Sequence, residues 1–272
     1  MNKVENLSSI PQHAEAFVIG DIFSKQNNSI LYIAKDDREI FNIKEKIEWL
    51  LPETEILIYR SWDQIPYDNV SPSKEIQSER IKTLYNLLNN QNKKIILSSI
   101  NALVQKTISK NFVKENIIDI FINQKIDFNN LIKKLSSLGF ERTSVVRDKS
   151  EFAIRGSIID IFISDQDNPF RIDFFGDTID SIHFFDPTTQ KRLQKLQDKN
   201  ISINTSGELI FCKKSIELFR KNFREIFDNY RSSQIYHSFS DGIMPPGGEQ
   251  FVPLFFDKMD NFFSYIFNCS II

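Results

Sequence analysis

Residues Glu151–Gln190 read EFAIRGSIIDIFISDQDNPFRIDFFGDTIDSIHFFDPTTQ, and this stretch decides the fold. It holds three runs of β-branched and aromatic residues between turn signals. Ile158–Phe162 stops at the polar break Ser164–Asn168, Pro169–Phe175 stops at Gly176-Asp177, and Ile179–Phe185 ends at Asp186-Pro187. Short apolar runs bounded by Gly, Pro, Asn and Asp predict consecutive antiparallel strands joined by tight turns.

Alternation assigns the faces, because successive side chains of a strand point to opposite sides of the sheet. Ile172 and Phe174 share one side of the second run, and Arg171, Asp173 and Phe175 share the other. On the first strand Ala153 and Arg155 share a face opposite Phe152 and Ile154. Phe175 is thus a large ring on a face otherwise carrying Arg and Asp. Aromatics beside arginines form protein-binding hot spots. A plainer reading is also open: Arg171 and Asp173 form a solvated ladder, and Phe175 packs at the strand end. The pattern alone favours the plainer one.

Outward from this block, the chain has 272 residues, 41% of them hydrophobic and 26% charged, enough for about two soluble domains with their own cores. The net charge of −2 exerts no overall pull on nucleic acid. Residues 139–192 carry seven Lys/Arg against ten Asp/Glu, the reverse of a DNA-tracking groove. Cys212 and Cys269 lie far apart with no neighbouring His, so neither a zinc site nor a disulfide framework is expected. Neither a signal peptide nor an apolar run of membrane-spanning length is apparent, and a soluble, cytoplasmic protein is expected.

Before the β-rich block, strands alternate with helices. An opening helix over Pro11–Lys25 leads to a strand at Ser29–Ala34. A helix starting at Asp36-Asp37 runs to Leu50, and a strand follows at Glu55–Tyr59. After the loop Ser61–Ser73 come a helix over Lys74–Leu88, a strand at Lys94–Ser98 and a short helix holding Leu103 and Val104. This order predicts βαβ units and a parallel sheet. A helix over Phe128–Leu138 closes at Gly139, a C-cap signal. Beyond Ser206, Leu209–Cys212 is a strand candidate. Lys213–Phe227 is a helix with Ile216, Phe219, Phe223 and Phe227 on one face.

Sites for chemistry are scarce. A phosphate loop needs Gly-rich backbone followed by Lys and a hydroxyl. Only Gly20 precedes Gly139, and none of the eight glycines is followed by Lys. His13, His183 and His237 are scattered, and His183 is expected to top a strand. Asp36-Asp37 suits a helix N-terminus better than a metal. Asp160, set among isoleucines, is expected in a buried pairing with an arginine. No nucleophile–base pair is visible, no metal or nucleotide site is expected, and the chain is not expected to be an enzyme.

Two groups of residues carry a resemblance. Trp62-Asp63-Gln64-Ile65-Pro66-Tyr67-Asp68-Asn69-Val70-Ser71-Pro72, followed by Ile76 and Arg80–Tyr85, resembles a signature of the transcription-repair coupling factor family, Mfd. Ile65 stands where that signature has Leu. The central block resembles the same family through Gly139-Phe140, Arg142, Glu151-Phe152-Ala153, Arg155-Gly156, Ile159–Phe162, Arg171–Phe175, Phe185-Asp186-Pro187 and Gln190. Ser240–Ile243, Gly247, Glu249 and Pro253–Phe256 extend the match. UvrB, the excision-repair helicase subunit, shares some of these elements, but it has a P-loop and a tyrosine-rich hairpin that this sequence lacks. A UvrB-like DNA-binding ATPase is therefore the alternative reading.

The resemblance implies an α/β architecture. Residues 1–120 would form a degenerate RecA-like parallel-sheet domain. Residues 121–203 would form an inserted, mainly antiparallel, β-rich α+β domain that docks UvrA. Residues 204–272 would return to complete the first module and would leave it incomplete, as in a fragment or truncated product. Phe262, Phe263, Tyr265 and Phe267 would then be under-covered. The family positions that contact UvrA fall on Arg155, Arg171 and Phe175. Each guanidinium would make paired bonds to partner carboxylates while the ring fills an apolar pocket. This shifts the preferred reading of Phe175 to the functional one. In the family, packing against a C-terminal domain masks this surface, so a lone module should bind UvrA constitutively. RNA polymerase, double-stranded DNA, ATP and Mg²⁺ would belong to domains outside this chain, and a monomer is expected.

Overall fold

The computed structural model describes residues 6–11, 14–65, 67–164, 166–195 and 200–272. His13 and Pro66 lie outside them. The first unit opens with α1 (Glu15–Lys25), β1 (Ser29–Ala34), α2 (Asp37–Leu50), β2 (Ile56–Tyr59), α3 (Lys74–Asn89) and β3 (Ile95–Ser99). The opening helix starts four residues later than its composition suggested. Helix α2 begins where Asp36 accepts a hydrogen bond from the Glu39 amide, and α3 begins where Ser73 accepts one from Ile76. Those side chains satisfy amides that a first turn leaves without intrahelical partners. All five residues of β3 are buried, as expected of a central strand covered on both faces.

Short elements follow: α4 (Ile100–Val104), β4 (Lys106–Thr107), α5 (Lys110–Glu115) and β5 (Ile118–Phe121). The β-rich unit then adds α6 (Phe128–Ser137), β6 (Glu141–Arg142), β7 (Glu151–Arg155), β8 (Ile158–Ile161), β9 (Phe170–Phe175), β10 (Thr178–Phe185), β11 (Arg192–Lys195) and β12 (Asn200–Ile203). Its six-stranded sheet runs β11-β10-β9-β8-β7-β6, antiparallel except for the parallel β6–β7 pair. The stretch read as three strands forms four. Glu151–Arg155 is a strand in its own right, turned into β8 at Gly156, whose φ of 61° is in the left-handed region glycine tolerates. Leu131 and Leu135 of α6, with Ile120 of β5 and Ile201 and Ile203 of β12, cover the inner face over Phe152, Ile159, Ile172 and Ile182. Gly139 has φ 88° after α6, as a helix C-terminus requires.

The return segment holds α7 (Lys213–Ile226), α8 (Gln234–Ser240), a 3-10 turn over Gly248–Phe255, β13 (Asp260–Asn261) and β14 (Cys269–Ile271). Phe219, Phe223, Phe239 and Phe255 pack here into an aromatic cluster. The strand expected at Leu209–Cys212 does not form. Leu209 and Phe211 instead turn into that cluster with no ladder partner, and Cys212 caps α7. Strand β14 pairs in parallel with β1, giving a four-stranded parallel sheet of order β14-β1-β3-β2. This corrects the expected exposure of Phe262 and Tyr265. Phe262 is stacked on Tyr59 at 4.4 Å, Tyr265 donates to the Ile108 carbonyl at 2.8 Å, and both are buried. Phe263 and Phe267 remain exposed. The whole is α/β, with a parallel sheet and a separate antiparallel β-rich part. Among the described residues no helix is long and apolar enough to cross a membrane.

Candidate protein-docking surface

The outer face of the β-rich sheet is built by cross-strand rows. Ala153, Asp160, Arg171 and His183 lie side by side across β7, β8, β9 and β10. The neighbouring row is Arg155, Ile158, Asp173 and Ser181. Directly opposed side chains on one face of a sheet are in reach of each other, so opposite charges in a row pair readily. Ala153 joins Val146, Phe162 and Phe185 in a small apolar corner that shields one end of the face.

Asp160 is fully buried and organises this surface. Its two oxygens accept from Arg171 Nε at 2.7 Å and Nη2 at 2.9 Å, a planar two-point bond. Arg155 Nη2 lies 3.0 Å from the same carboxylate. Hydrogen bonding to Asp160 is the main cause that holds the Arg171 pKa above its ordinary value. Arg171 also stacks over the Phe185 ring at 4.6 Å and donates from Nη1 to the Gln190 carbonyl at 3.3 Å. The expected buried pairing of Asp160 with an arginine is present, doubled.

Gln190 supplies the other half of the anchor. Its Oε1 accepts from Arg155 Nη2 at 2.7 Å, and its Nε2 donates to the Val146 and Pro187 carbonyls. The backbone there is left-handed, with φ 60°. The Asp186 turn holds it: the Gln190 amide donates to the Asp186 carbonyl, and the Asp186 carboxylate accepts from Thr188 and Thr189. Donation from Thr189 is the main reason that the Asp186 carboxyl titrates below its ordinary value.

Phe175 is 84% exposed at the end of β9, beside the two-residue turn to β10. The rest of that strand alternates buried and half-buried, as its sequence indicated. Nothing covers the ring, so it does not pack at the strand end. Of the two guanidiniums expected to bridge to a partner, Arg171 keeps only 12% of its side chain exposed and commits its fork to Asp160. Arg155 keeps 42%. Of the three expected residues, the surface therefore offers one ring and one partly free arginine. Sequence reading missed Gln190 as an anchor; its signal was a polar residue four after Asp186-Pro187. His183 lies within β10, with Ser181 3.1 Å away, rather than at the strand's top. Arg192 donates to Asp173 at 2.7 Å.

The signature loop 62–73 has a different role. Trp62 donates to Glu208, Gln64 to the Gly247 carbonyl, and the Tyr67 amide to Gln250. Ser71 accepts from the Gly247 amide. A Cβ on Gly247 would collide with the Asp68 carbonyl, and its φ is 72°. The loop is stapled to the return segment. Beside it Arg80 is wholly buried, bonded to Glu208, Tyr59, Gln105 and the Arg60 carbonyl. Burial opposes its charge, and Glu208 and Tyr59 together more than offset this, so its pKa is raised.

At the β1–α2 turn, where a parallel α/β sheet would present a phosphate loop, Asp36 caps the helix and Glu39 accepts from the Lys35 amide and the Tyr32 hydroxyl. The turn's own carboxylates take up its donors. Among the described residues no cluster of three or more His, Cys, Asp or Glu could hold a metal.

Residues 118–206, which contain this whole surface, match the UvrB interaction domain family. Over 262 residues the chain is 30% identical to the transcription-repair-coupling factor of Haemophilus influenzae, covering 96% of this chain and 22% of that protein. It is 29% identical over 261 residues to that of Escherichia coli, covering 95% and 22%. For Rickettsia bellii the figures are 29% over 264 residues, 96% and 23%. The chain spans about a fifth of the length of these curated relatives.

Proposed function

We propose that this chain, related over nearly its whole length to transcription-repair-coupling factors and carrying a UvrB interaction domain, is an adaptor for UvrA. Docked on the outer face of the β-rich sheet, UvrA would be brought to RNA polymerase halted at a lesion. The observation that carries the reading is Phe175. It is a bare ring on the same sheet face as an anchored pair of arginines, inside the matched interval. An exposed aromatic next to a guanidinium fits a partner with an apolar pocket rimmed by carboxylates.

In this reading the parallel-sheet unit, residues 1–120 with 204–272, is a degenerate RecA-like scaffold without a nucleotide site. The UvrA-docking domain is residues 121–203. Contacts to RNA polymerase and double-stranded DNA, and ATP-driven translocation with its Mg²⁺, belong to other parts of the family protein. The chain acts as a cytoplasmic monomer and hydrolyses no ATP. The acid-capped turn after β1 supports this last point, since carboxylates repel phosphate.

The test is calorimetric titration of UvrA into the chain and into an Arg155→Ala/Arg171→Ala/Phe175→Ala variant that melts normally. Binding that disappears in the variant is expected. A folded wild-type chain that fails to bind would refute the adaptor reading, and DNA-stimulated ATP turnover would favour the UvrB-like enzyme instead.

A further inference from the structure

Resting on the adaptor reading, we propose that the two arginines of the docking face have unequal roles. Arg155 alone reaches the partner, and Arg171, Asp160 and Gln190 are positioning residues that fix its guanidinium in place.

A guanidinium has five N–H donors. Those of Arg171 go to Asp160 twice and to the Gln190 carbonyl once, and its plane lies on Phe185. Its remaining hydrogens sit on a side chain 12% exposed. Arg155 is held at a single nitrogen: Nη2 lies between Gln190 Oε1 at 2.7 Å and Asp160 at 3.0 Å. Its Nε and Nη1 have no partner among the described residues, and 42% of the side chain is exposed. One end is clamped and the other is open.

Clamping matters because an arginine side chain has rotamer entropy to lose on binding. A guanidinium already fixed on a buried carboxylate has lost much of it before the partner arrives, which is preorganisation. The clamp is itself rigid. Asp160 lies in a strand interior at no exposure, and Gln190 is held at three points, two in the turn at Asp186 and one at the Val146 carbonyl.

Charge makes the inference testable by sign. Asp160→Asn removes a negative charge, so bulk electrostatics would tighten binding to partner carboxylates. Loss of the clamp would weaken it. UvrA is titrated into the wild-type chain, Asp160→Asn, Gln190→Ala, Arg171→Lys, Arg155→Ala and the double variant Arg171→Lys/Arg155→Ala. Each is checked by thermal melting. We expect roughly tenfold weaker binding for Asp160→Asn, Gln190→Ala and Arg171→Lys, the scale of a lost hydrogen bond to a charged group. We also expect the double variant to bind no more weakly than Arg155→Ala alone. Tighter or unchanged binding by Asp160→Asn would overturn the proposal, as would losses at Arg171 and Arg155 that add. Should Asp160→Asn not fold, Gln190→Ala tests the clamp without a change of charge, and unchanged binding there overturns the proposal.

Nuclear spin relaxation of the Arg155 Nε–Hε group in the free chain separates this proposal from the adaptor reading. An ordered signal in wild type that becomes mobile in Gln190→Ala sustains the clamp even if UvrA does not bind. Equal mobility in the two proteins overturns it, whatever UvrA does.

Discussion

Two arginine–carboxylate centres sit in the two halves of this molecule, and they are built to opposite ends. Around Arg80 the side chain is fully buried, Glu208 is 4% exposed, and Tyr59, Trp62, Gln105 and a carbonyl take up what remains. Around Asp160 the carboxylate is equally buried, but one of its two arginines opens to solvent. A buried ion pair is costly to desolvate and costly to break. The first centre uses that to lock the loop 62–73 and helix α3 to the returning chain. The second uses a buried acid to steady a cation at the surface. Exposure of the arginine, more than the chemistry of the pair, separates the structural centre from the one proposed for docking.

The largest effect should come from breaking the closed centre. Arg80→Ala leaves Glu208 buried and unpaired, and we expect a loss of about 3–5 kcal/mol in denaturant unfolding. A loss below 1 kcal/mol would mean that water replaces the guanidinium freely, and the contrast would fail. Next is Phe175→Ala. At the docking face it should cost about 2 kcal/mol in UvrA affinity, the scale of a hot-spot ring. Stability should change by less than about 0.5 kcal/mol, as for other exposed positions. Equal effects on both would show that the ring belongs to the fold.

Alkaline titration sharpens the comparison without mutation. Burial, the largest cause, pushes Tyr59 of the closed centre up to about 12 from 10.0, and Cys269 of the same unit up to about 11 from 9.0. Both groups stay neutral longer when folded than when unfolded. Their contribution is therefore intact below the unfolded pKa and fades as pH rises through the folded one. Stability should decline from about pH 9, further from about pH 10, and lose both contributions by about pH 12. Urea midpoints across that range check this, and Tyr59→Phe should remove only part of the later decline, since burial also holds the Tyr32 and Tyr265 hydroxyls above their ordinary range. The smallest effect is expected at Arg192, which is 50% exposed and bonded to Asp173. Arg192→Ala should cost less than about 1 kcal/mol, and less still in high salt.

These two centres also mark how far the sequence could be read. The alternation of Arg171, Asp173 and Phe175 put the three side chains on one outer face correctly, because strand periodicity is a local rule. The pairing of Asp160 was legible for the same reason: an acid flanked by isoleucines in a buried strand needs a cation nearby. That Arg171 would be consumed internally was not legible, since alternation gives the side of a sheet and not the partner. Arg80 posed a harder problem, as its carboxylate lies 128 residues away, just before the segment read as a strand. Phe152–Arg155 was read with strand alternation but not separated from Ile158–Ile161, because the turn between them has only one glycine. Leu209–Cys212 looked like a strand because apolar residues in a row have the same composition whether they ladder or bury singly.

The closure of the parallel sheet has a consequence in time. Strand β14 lies against β1, and Ser270 donates to Gln26 across 244 residues of chain. The β-rich unit closes locally, with most strands pairing with their sequence neighbours. On a ribosome that unit can complete its own ladder while the N-terminal strands still wait for their last neighbour. Nascent-chain proteolysis should then find the middle of the polypeptide resistant before its beginning.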